Sequence, residues 1–190
     1  MINLTVFCSS KDNLDDDFHL EIEKIIKLLD VNKFNIIYGG GTCGLMGTVR
    51  RTFIESGASQ TKFEPQGKAC GKIISSNVTK FVEPDIIDDY VFNNIYERQR
   101  KLIELGDAYL ILPGGYGTHS EMLEVMTKND IGECSKPIFI FNCLNIFDNL
   151  LNLLDDLKFN GLITRDFNYI KVKISSDPVD LADIINNYGF

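Results

Sequence analysis

Apolar residues along this chain fall into two alternating patterns: short runs rich in β-branched and aromatic residues, and longer runs in which apolar positions return every three or four residues. The stretch "INLTVFCS" (2–9) predicts a strand, and Ile22, Ile25, Ile26 and Leu29 mark the buried face of a helix that begins near Asp15. "FNIIY" (34–38) predicts a second strand, followed by "GGGTCGLMG" and a helix that carries Leu45, Val49 and Phe53 and ends at Gly57. "KIIS" (72–75) is a weaker third strand. A helix from about Asn93 to Leu105, the strand "AYLIL" (108–112) and a helix from about His119 to Asp130 come next. The strand "PIFIFN" (137–142), a helix from about Ile146 to Lys158, the strand "YIKVKIS" (169–175) and a helix from Pro178 to Asn187 complete the series. Strands that are apolar on both faces must be covered on both, so the predicted class is α/β: a parallel sheet with helices on both faces. A chain of 190 residues with 44% hydrophobic side chains can bury one such core, and a single domain over 1–190 is expected. One stretch breaks the alternation. "ASQTKFEPQGKACG" (58–71) is polar, has no period and is longer than most αβ connections. It reads as a surface excursion, either inert or a loop for a partner.

Composition narrows the function. A formal net charge of −8 argues against nucleic acid as the main partner, because phosphate backbones are bound by net basic surfaces. An acidic chain can still hold one small anion through a local cluster of donors. No run approaches the ~18 apolar residues that span a bilayer, so no membrane partner is expected. The opening "MINLTVFCSSKDNLDDD" lacks the basic and apolar regions of a signal peptide. Cys8, Cys43, Cys70, Cys134 and Cys143 form no CxxC pair and the chain has two histidines, so no metal site is expected and a reducing, cytoplasmic setting is.

Two glycine-rich stretches carry the candidate chemistry. Gly39, Gly41 and Gly44 satisfy GxGxxG between a strand and a helix. A dinucleotide fingerprint, however, belongs after the first strand and needs an acidic residue at the end of the next, where this chain has serines. A Walker-type loop is excluded, since no Gly-Lys-Ser/Thr follows either stretch. What the glycines do allow is close approach of backbone N–H groups to an anion at a helix N-terminus. Gly40, Gly41 and Gly44 form one such loop; Gly114, Gly115 and Gly117, with the Thr118 hydroxyl, form the other. Two loops on one sheet edge suggest one ligand with a phosphate and a second polar part. Ser9 and Ser10, at the end of the first strand, either face that ligand or cap the helix that follows.

"YGGGTCGLMG" (38–47) together with "PGGYGTHSEMLE" (113–124) resembles the signature pair of the LOG ("Lonely guy") family, the cytokinin riboside 5′-monophosphate phosphoribohydrolases once mislabelled lysine decarboxylases. The likeness runs from "VFCSS" through "LPGGYGT" and "KPIFIFN" to the last helix. It implies a Rossmann-like α/β fold, usually dimeric, that needs no cofactor. The implied activity is hydrolysis of the N-glycosidic bond of a nucleoside 5′-monophosphate, a cytokinin riboside monophosphate or an AMP-like relative, releasing free base and ribose 5-phosphate. The resemblance assigns Glu121 as the glutamate of PGGxGTxxE and Arg98 as the arginine upstream, with Arg100 as the other candidate. Where the family usually has an Arg-Lys pair this chain has Arg98-Gln99, and His119 and Ser120 stand where Leu and Glu are common.

The chemistry suits these residue types. Breaking the glycosidic bond builds positive charge on the ribose, which a carboxylate stabilises, directly or by activating water. Glu121, three residues past Thr118, is placed for it. An arginine either grips the phosphate or supports the leaving base. Glu124 is a weaker second carboxylate and His119 a weaker general acid. The segment "DIIDDYVFNNIYE" (85–97) is expected to help line the base pocket. A homodimer is expected, with Ile95, Leu102 and Leu105 on one stripe of their helix. The main rival is a non-catalytic nucleotide or molybdenum cofactor carrier of the same fold, which would keep the glycine loops without needing the Arg98 and Glu121 pair. A pyridoxal-phosphate decarboxylase would need a Schiff-base lysine, and neither glycine motif contains or adjoins one.

Overall fold

The computed structural model describes residues 1–57, 74–75, 91–92 and 95–190. In chain order the strands are β1 (Ile2–Phe7), β2 (Phe34–Ile37), β3 (Ile74–Ser75), β4 (Val91–Phe92), β5 (Ala108–Ile111), β6 (Ile138–Phe141) and β7 (Val172–Ser175). The helices are α1 (Asp16–Leu28), α2 (Gly44–Glu55), α3 (Ile95–Leu105), α4 (Tyr116–Asp130), α5 (Asp148–Phe159) and α6 (Pro178–Asn186). Five strands form one parallel sheet in the order β2-β1-β5-β6-β7, and β3 pairs with β4 in a second, parallel one. The fold is the expected Rossmann-like α/β architecture.

Side-chain alternation builds the three layers. Leu4 and Val6 of β1 join Ile22, Ile25 and Ile26 of α1 and Val49 and Phe53 of α2 in one core. Phe7 joins Leu102 of α3, Met122 and Val125 of α4 and Leu154 of α5 in the other. Polar caps fix where helices start. Asp15 accepts from the Asp17 N–H at 3.0 Å, and Asp177 accepts from the N–H groups of Val179 and Asp180 at 2.8 and 2.9 Å.

Some expected boundaries move. Helix α4 begins at Tyr116 rather than near His119, because Gly115 acts as its N-cap and Gly117 and Thr118 belong to its first turn. The strand expected over 169–175 starts only at Val172, since Lys171 has a left-handed φ of 58°. A 3-10 turn at Cys143–Asn145 precedes α5, which starts at Asp148 rather than Ile146. β4 was not anticipated. The excursion at 58–71, most of the 85–97 segment and the first residues of the helix expected from Asn93 lie outside the described residues. The stripe expected to pair subunits is split: Leu102 is fully buried in the chain's own core, Leu105 packs against that core, and Ile95 is exposed. Among the described residues no helix is long and apolar enough to cross a membrane.

Topology places the site. β1 lies between β2 and β5, so the chain leaves it to one side first and returns on the other later. The carboxyl end of β1 is thus a switch point, where the loops after neighbouring strands diverge and leave a crevice.

Candidate active site

Helix α3 is pinned to the sheet through its last turn, whose carbonyls have no partner within the helix. Thr5 Oγ1 donates to the Leu102 carbonyl at 3.1 Å, Tyr109 OH to that of Ile103 at 2.8 Å, and Asn3 Nδ2 to that of Leu105 at 3.0 Å. Buried polar side chains on β1 and β5 therefore orient α3 and direct Arg98 over the carboxyl edge. A Cβ on Gly39 would lie 3.6 Å from the Arg98 Nη1, so the guanidinium reaches the first glycine loop.

The same guanidinium meets Glu121. Arg98 Nη2 stands 3.9 Å from Glu121 Oε1, with side-chain exposures of 14% and 9%, so two charged groups share a largely dry site. The Arg98 Nε is buried without a hydrogen-bond partner among the described residues. Burial pushes the Glu121 carboxyl up to about 7, with Arg98 pulling it down and Glu124 raising it further. At 3.9 Å the arginine falls short of a direct hydrogen bond, which is why desolvation wins. Behind Glu121, at the end of β1, burial raises the Cys8 thiol well above its ordinary value and the Glu121 charge adds to it, so this group stays protonated.

The two glycine loops flank this pair and differ in how the chain itself uses them. At the first, Gly44 has φ of 57° and sits against the backbone of Ser10 and Lys11. Its N–H donates to Asp12 Oδ1 at 3.1 Å, and the Met46 N–H donates to the Ser9 carbonyl at 3.1 Å. A Cβ on Gly47 would collide with the Thr42 carbonyl. At the second loop, Gly114 is held against the Thr118 side chain, whereas Gly115 and Gly117 face open space and neither needs positive φ. α4 has no side-chain cap, and among the described residues no protein group accepts from the N–H groups of Tyr116, Gly117 or Thr118.

The remaining candidates separate. Ser9 joins the loops rather than capping a helix: its N–H donates to the Pro113 carbonyl at 3.0 Å while its own carbonyl accepts from Met46, and Asp15 provides the α1 cap. Ser10 is exposed beside Gly44. Arg100 is 72% exposed and pairs with Glu104 at 3.4 Å, which leaves Arg98 as the arginine brought to Glu121. His119 Nδ1 lies 2.9 Å from the Gly115 carbonyl, so this ring nitrogen donates back into the loop and does not face Glu121 as a free acid. Gly40 has φ of 76° and Gly41 is buried against Met46. Lys11, unremarkable in the sequence, comes beside the first glycine motif through its backbone, with its side chain exposed.

Two residues that sequence reasoning missed also belong here. Asp12 reaches the α2 N-terminus across 32 positions, a pairing with no local signal. Gln99, in the sequence only a departure from the family's Arg-Lys pair, bonds Glu124 across the α3–α4 seam at 2.7 Å, a tertiary pairing that no local spacing marks. A separate apolar cavity of about 180 Å³, lined by Leu123, Met126, Leu154, Phe167 and Ile170 among others, uses a different face of α4 and holds neither Arg98 nor Glu121.

Comparison with known proteins bears on family and fold. The family described as "possible lysine decarboxylase" matches residues 46–185. A cytokinin riboside 5′-monophosphate phosphoribohydrolase of Arabidopsis thaliana is 25% identical over 185 residues, covering 97% of this chain and 83% of that protein. One from Rhodococcoides fascians is 26% identical, covering 85% and 78%. A probable one from Oryza sativa subsp. japonica is 33% identical over 137 residues, covering 72% and 58%. Among solved structures, the molybdenum cofactor binding protein of Rippkaea orientalis superposes with a TM-score of 0.61 at 16% identity over 97% of this chain and 94% of that one. The molybdenum cofactor carrier protein of Chlamydomonas reinhardtii gives 0.57 at 13%, with the same coverage. At those identities the two structures share the fold alone.

Proposed function

The chain belongs to the LOG family, and from that premise we propose that it hydrolyses the N-glycosidic bond of a nucleoside 5′-monophosphate, releasing free base and ribose 5-phosphate. One observation carries the reading: Arg98 and Glu121, from two helices, meet at 3.9 Å beside a helix N-terminus whose first N–H groups have no partner among the described residues.

In this mechanism the 5′-phosphate rests on the backbone of Gly115, Gly117 and Thr118, where N–H groups and the helix dipole favour an anion. Gly114 lets the Thr118 side chain close in behind the loop. Gly40, Gly41, Gly44 and Ser10, across the crevice, take the second polar part of the nucleotide. Phosphate anchoring fixes the ribose relative to the first turns of α4, where Glu121 stands. As the glycosidic bond breaks, the base departs with the bonding electron pair and is protonated from solvent, while the ionised carboxylate faces the positive charge on the ribose and takes a proton from the water that adds to it. Arg98 balances Glu121 in the ground state, and its Nη1, beside Gly39, takes the phosphate or the leaving base. No cofactor takes part, and the reaction runs in a homodimer in the cytoplasm. A Glu121 that ionises near pH 7 makes turnover rise as pH passes upward through about 7.

The test is release of free base and ribose 5-phosphate by the purified protein from a panel of purine nucleoside 5′-monophosphates, with the matching nucleosides beside them. Turnover of the nucleotides, and at least ~100-fold less of the nucleosides, is expected, a difference of about 2.7 kcal/mol in transition-state binding. Tight nucleotide binding with no base released across the panel would replace the enzyme by a carrier.

A further inference from the structure

Helices α3 and α4, which carry Arg98 and Glu121, flank β5 in sequence, so both point their first turns at the carboxyl edge of the sheet and their last turns at the opposite edge. At the near edge Arg98 and Glu121 meet at 3.9 Å. At the far edge the same two helices are joined through Lys136, a residue of neither, in the "KPIFIFN" run that leads into β6. Asn129, in the last turn of α4 and 4% exposed, grips the Lys136 backbone on both sides: its Nδ2 donates to the Lys136 carbonyl at 2.7 Å and its Oδ1 accepts from the Lys136 N–H at 3.3 Å. The Ile170 carbonyl at 2.7 Å and the Cys134 thiol at 2.9 Å take up the rest of the amide, so the grip has no freedom to turn. From this fixed backbone Lys136 reaches α3. Its Nζ donates to the carbonyls of Ile103 and Glu104 at 3.3 and 3.4 Å, in the turn where a helix leaves carbonyls unpaired and its dipole favours a cation. Tyr109 supports the arm, with its ring centroid 5.8 Å from the Lys136 Nζ and its hydroxyl donating to the Ile103 carbonyl at 2.8 Å.

We infer that Asn129 and Lys136 form a bracket that holds α3 against α4 at their far ends and thereby sets the spacing of Arg98 and Glu121 at the near end. Lys136 is a positioning residue, acting through α3 without touching the pair. Thr5, Asn3 and Tyr109 tie α3 to β1 and β5, whereas the bracket ties it to the helix that carries the other half of the site. Helix carbonyls point along the helix axis, so the two bonds from Lys136 resist sliding of α3 along that axis. Arg98 and Ile103 lie on one continuous helix, separated by about 7.5 Å of rise, and a hydrogen-bonded helix this short transmits a shift of its end rather than absorbing it. The shift that matters is small. At 3.9 Å the pair lies just past hydrogen-bond reach, so about half an ångström decides whether the guanidinium binds the carboxylate directly or leaves both groups for substrate. Resting on the hydrolase reading above, the consequence is that Lys136 supports turnover from the opposite edge of the sheet.

The experiment follows the Arg98 Nε–Hε resonance in the full chain labelled with ¹⁵N-arginine, without nucleotide, assigned by its loss in Arg98→Lys. Lys136→Met keeps the apolar stem and removes the donor and the charge, and Lys136→Arg restores both. The resonance is expected to shift in Lys136→Met and to return to the parent position in Lys136→Arg. Base release is measured beside it. In Lys136→Met kcat/KM should fall about fivefold to tenfold, and in Lys136→Arg it should recover to within about twofold of the parent. Made in an Arg98→Ala background, Lys136→Met should change kcat/KM by less than about twofold, because the group it positions is gone. Lys136→Gln, too short to span to α3, is held to the same expectations should Lys136→Met not fold. An Arg98 resonance that stays in place, whatever the loss of stability, overturns the inference. An equal loss of turnover with and without Arg98 overturns it as well, since Lys136 would then be support for the fold alone. A resonance that shifts as expected in a protein that releases no base would sink the hydrolase reading and leave the bracket standing.

Discussion

The two glycine loops on this sheet edge look alike as letters, each following an apolar strand and opening a helix, yet the chain treats them differently. The first is tied down by the chain's own contacts. Gly44 is pressed on the Lys11 backbone, its N–H is bound by Asp12, and the N–H of Met46, two residues on, is bound by the Ser9 carbonyl. The second is left open where it matters: Gly115 and Gly117 touch nothing that a Cβ would disturb, and the first N–H groups of α4 have no acceptor among the described residues. Glycine at Gly44 is therefore required by the fold, whereas at Gly115 and Gly117 the fold gives no reason for it. A ligand that needs the backbone supplies one.

The largest effect that would sharpen this contrast lies one turn beyond the open loop. Glu121→Gln keeps the size and the helix while removing the charge, so turnover is expected to fall by roughly 10² to 10³, about 3–4 kcal/mol, with nucleotide affinity retained. Base release and a binding titration with the same nucleotide check it. Full turnover in the variant would take the chemistry away from this loop.

Stability should divide the loops next. Gly44→Ala puts a Cβ at positive φ against the Lys11 backbone, and a loss of about 2–4 kcal/mol in denaturant unfolding is expected. A variant as stable as the parent would show that the first loop is not held as described.

Much of this fold was legible because it rests on periodicity. The strands at 34–38, 108–112 and 137–142 are apolar but for Asn35 and Asn142, and the buried triplet of α1 falls at helical spacing. Errors gathered where local chemistry overrides pattern. "PGGYG" reads as a loop, yet its last two residues form the first turn of α4, where Gly117 is tolerated because the N–H groups there lack helical partners anyway. The glutamate and arginine were legible through the motif resemblance, and their proximity is a tertiary fact. Asp12 on the α2 N-terminus and Ser9 between the loops were not legible, since both depend on which strand ends the sheet order brings together.

A pH comparison tests the dry environment beside the open loop. The Glu121 carboxyl is raised in the folded chain, so it binds more protons folded than unfolded between its ordinary range and about 7. Its contribution to stability is full at low pH and is lost as pH rises through about 7. The stability of Glu121→Gln minus that of the parent should therefore grow between pH 5 and pH 8, by about 1–3 kcal/mol. Urea unfolding at the two pH values measures it, and a constant difference would mean that the carboxylate is better solvated than its burial implies.

A smaller effect separates ligand from fold at the open loop itself. Gly117→Ala introduces a better helix former with no steric conflict, so the chain should be unchanged or slightly more stable, by up to about 1 kcal/mol. Nucleotide affinity should nonetheless fall about tenfold, or ~1.4 kcal/mol, as the methyl group keeps the phosphate off the backbone. Thermal unfolding and a binding titration on one sample give both numbers. Equal affinity with and without the methyl would remove the phosphate from this loop.

The smallest effect asks whether the first loop is closed by Asp12 or only decorated by it. Asp12 is exposed and its carboxylate caps one N–H of α2, so Asp12→Ala should cost only about 0.5–1 kcal/mol of stability, within the usual range for an N-cap contact. The binding consequence is the sharper one. Removing this carboxylate frees the Gly44 N–H and takes a negative charge from the mouth of α2, so any anion that competes with Asp12 for that position would bind more tightly. If the phosphate sits on α4, nucleotide affinity should change by less than about twofold at moderate salt, because exposed charges separated by roughly a Debye length are largely screened. A tenfold gain in affinity for the monophosphate would show instead that Asp12 stands in for substrate phosphate at the first loop, and the roles of the two loops would exchange.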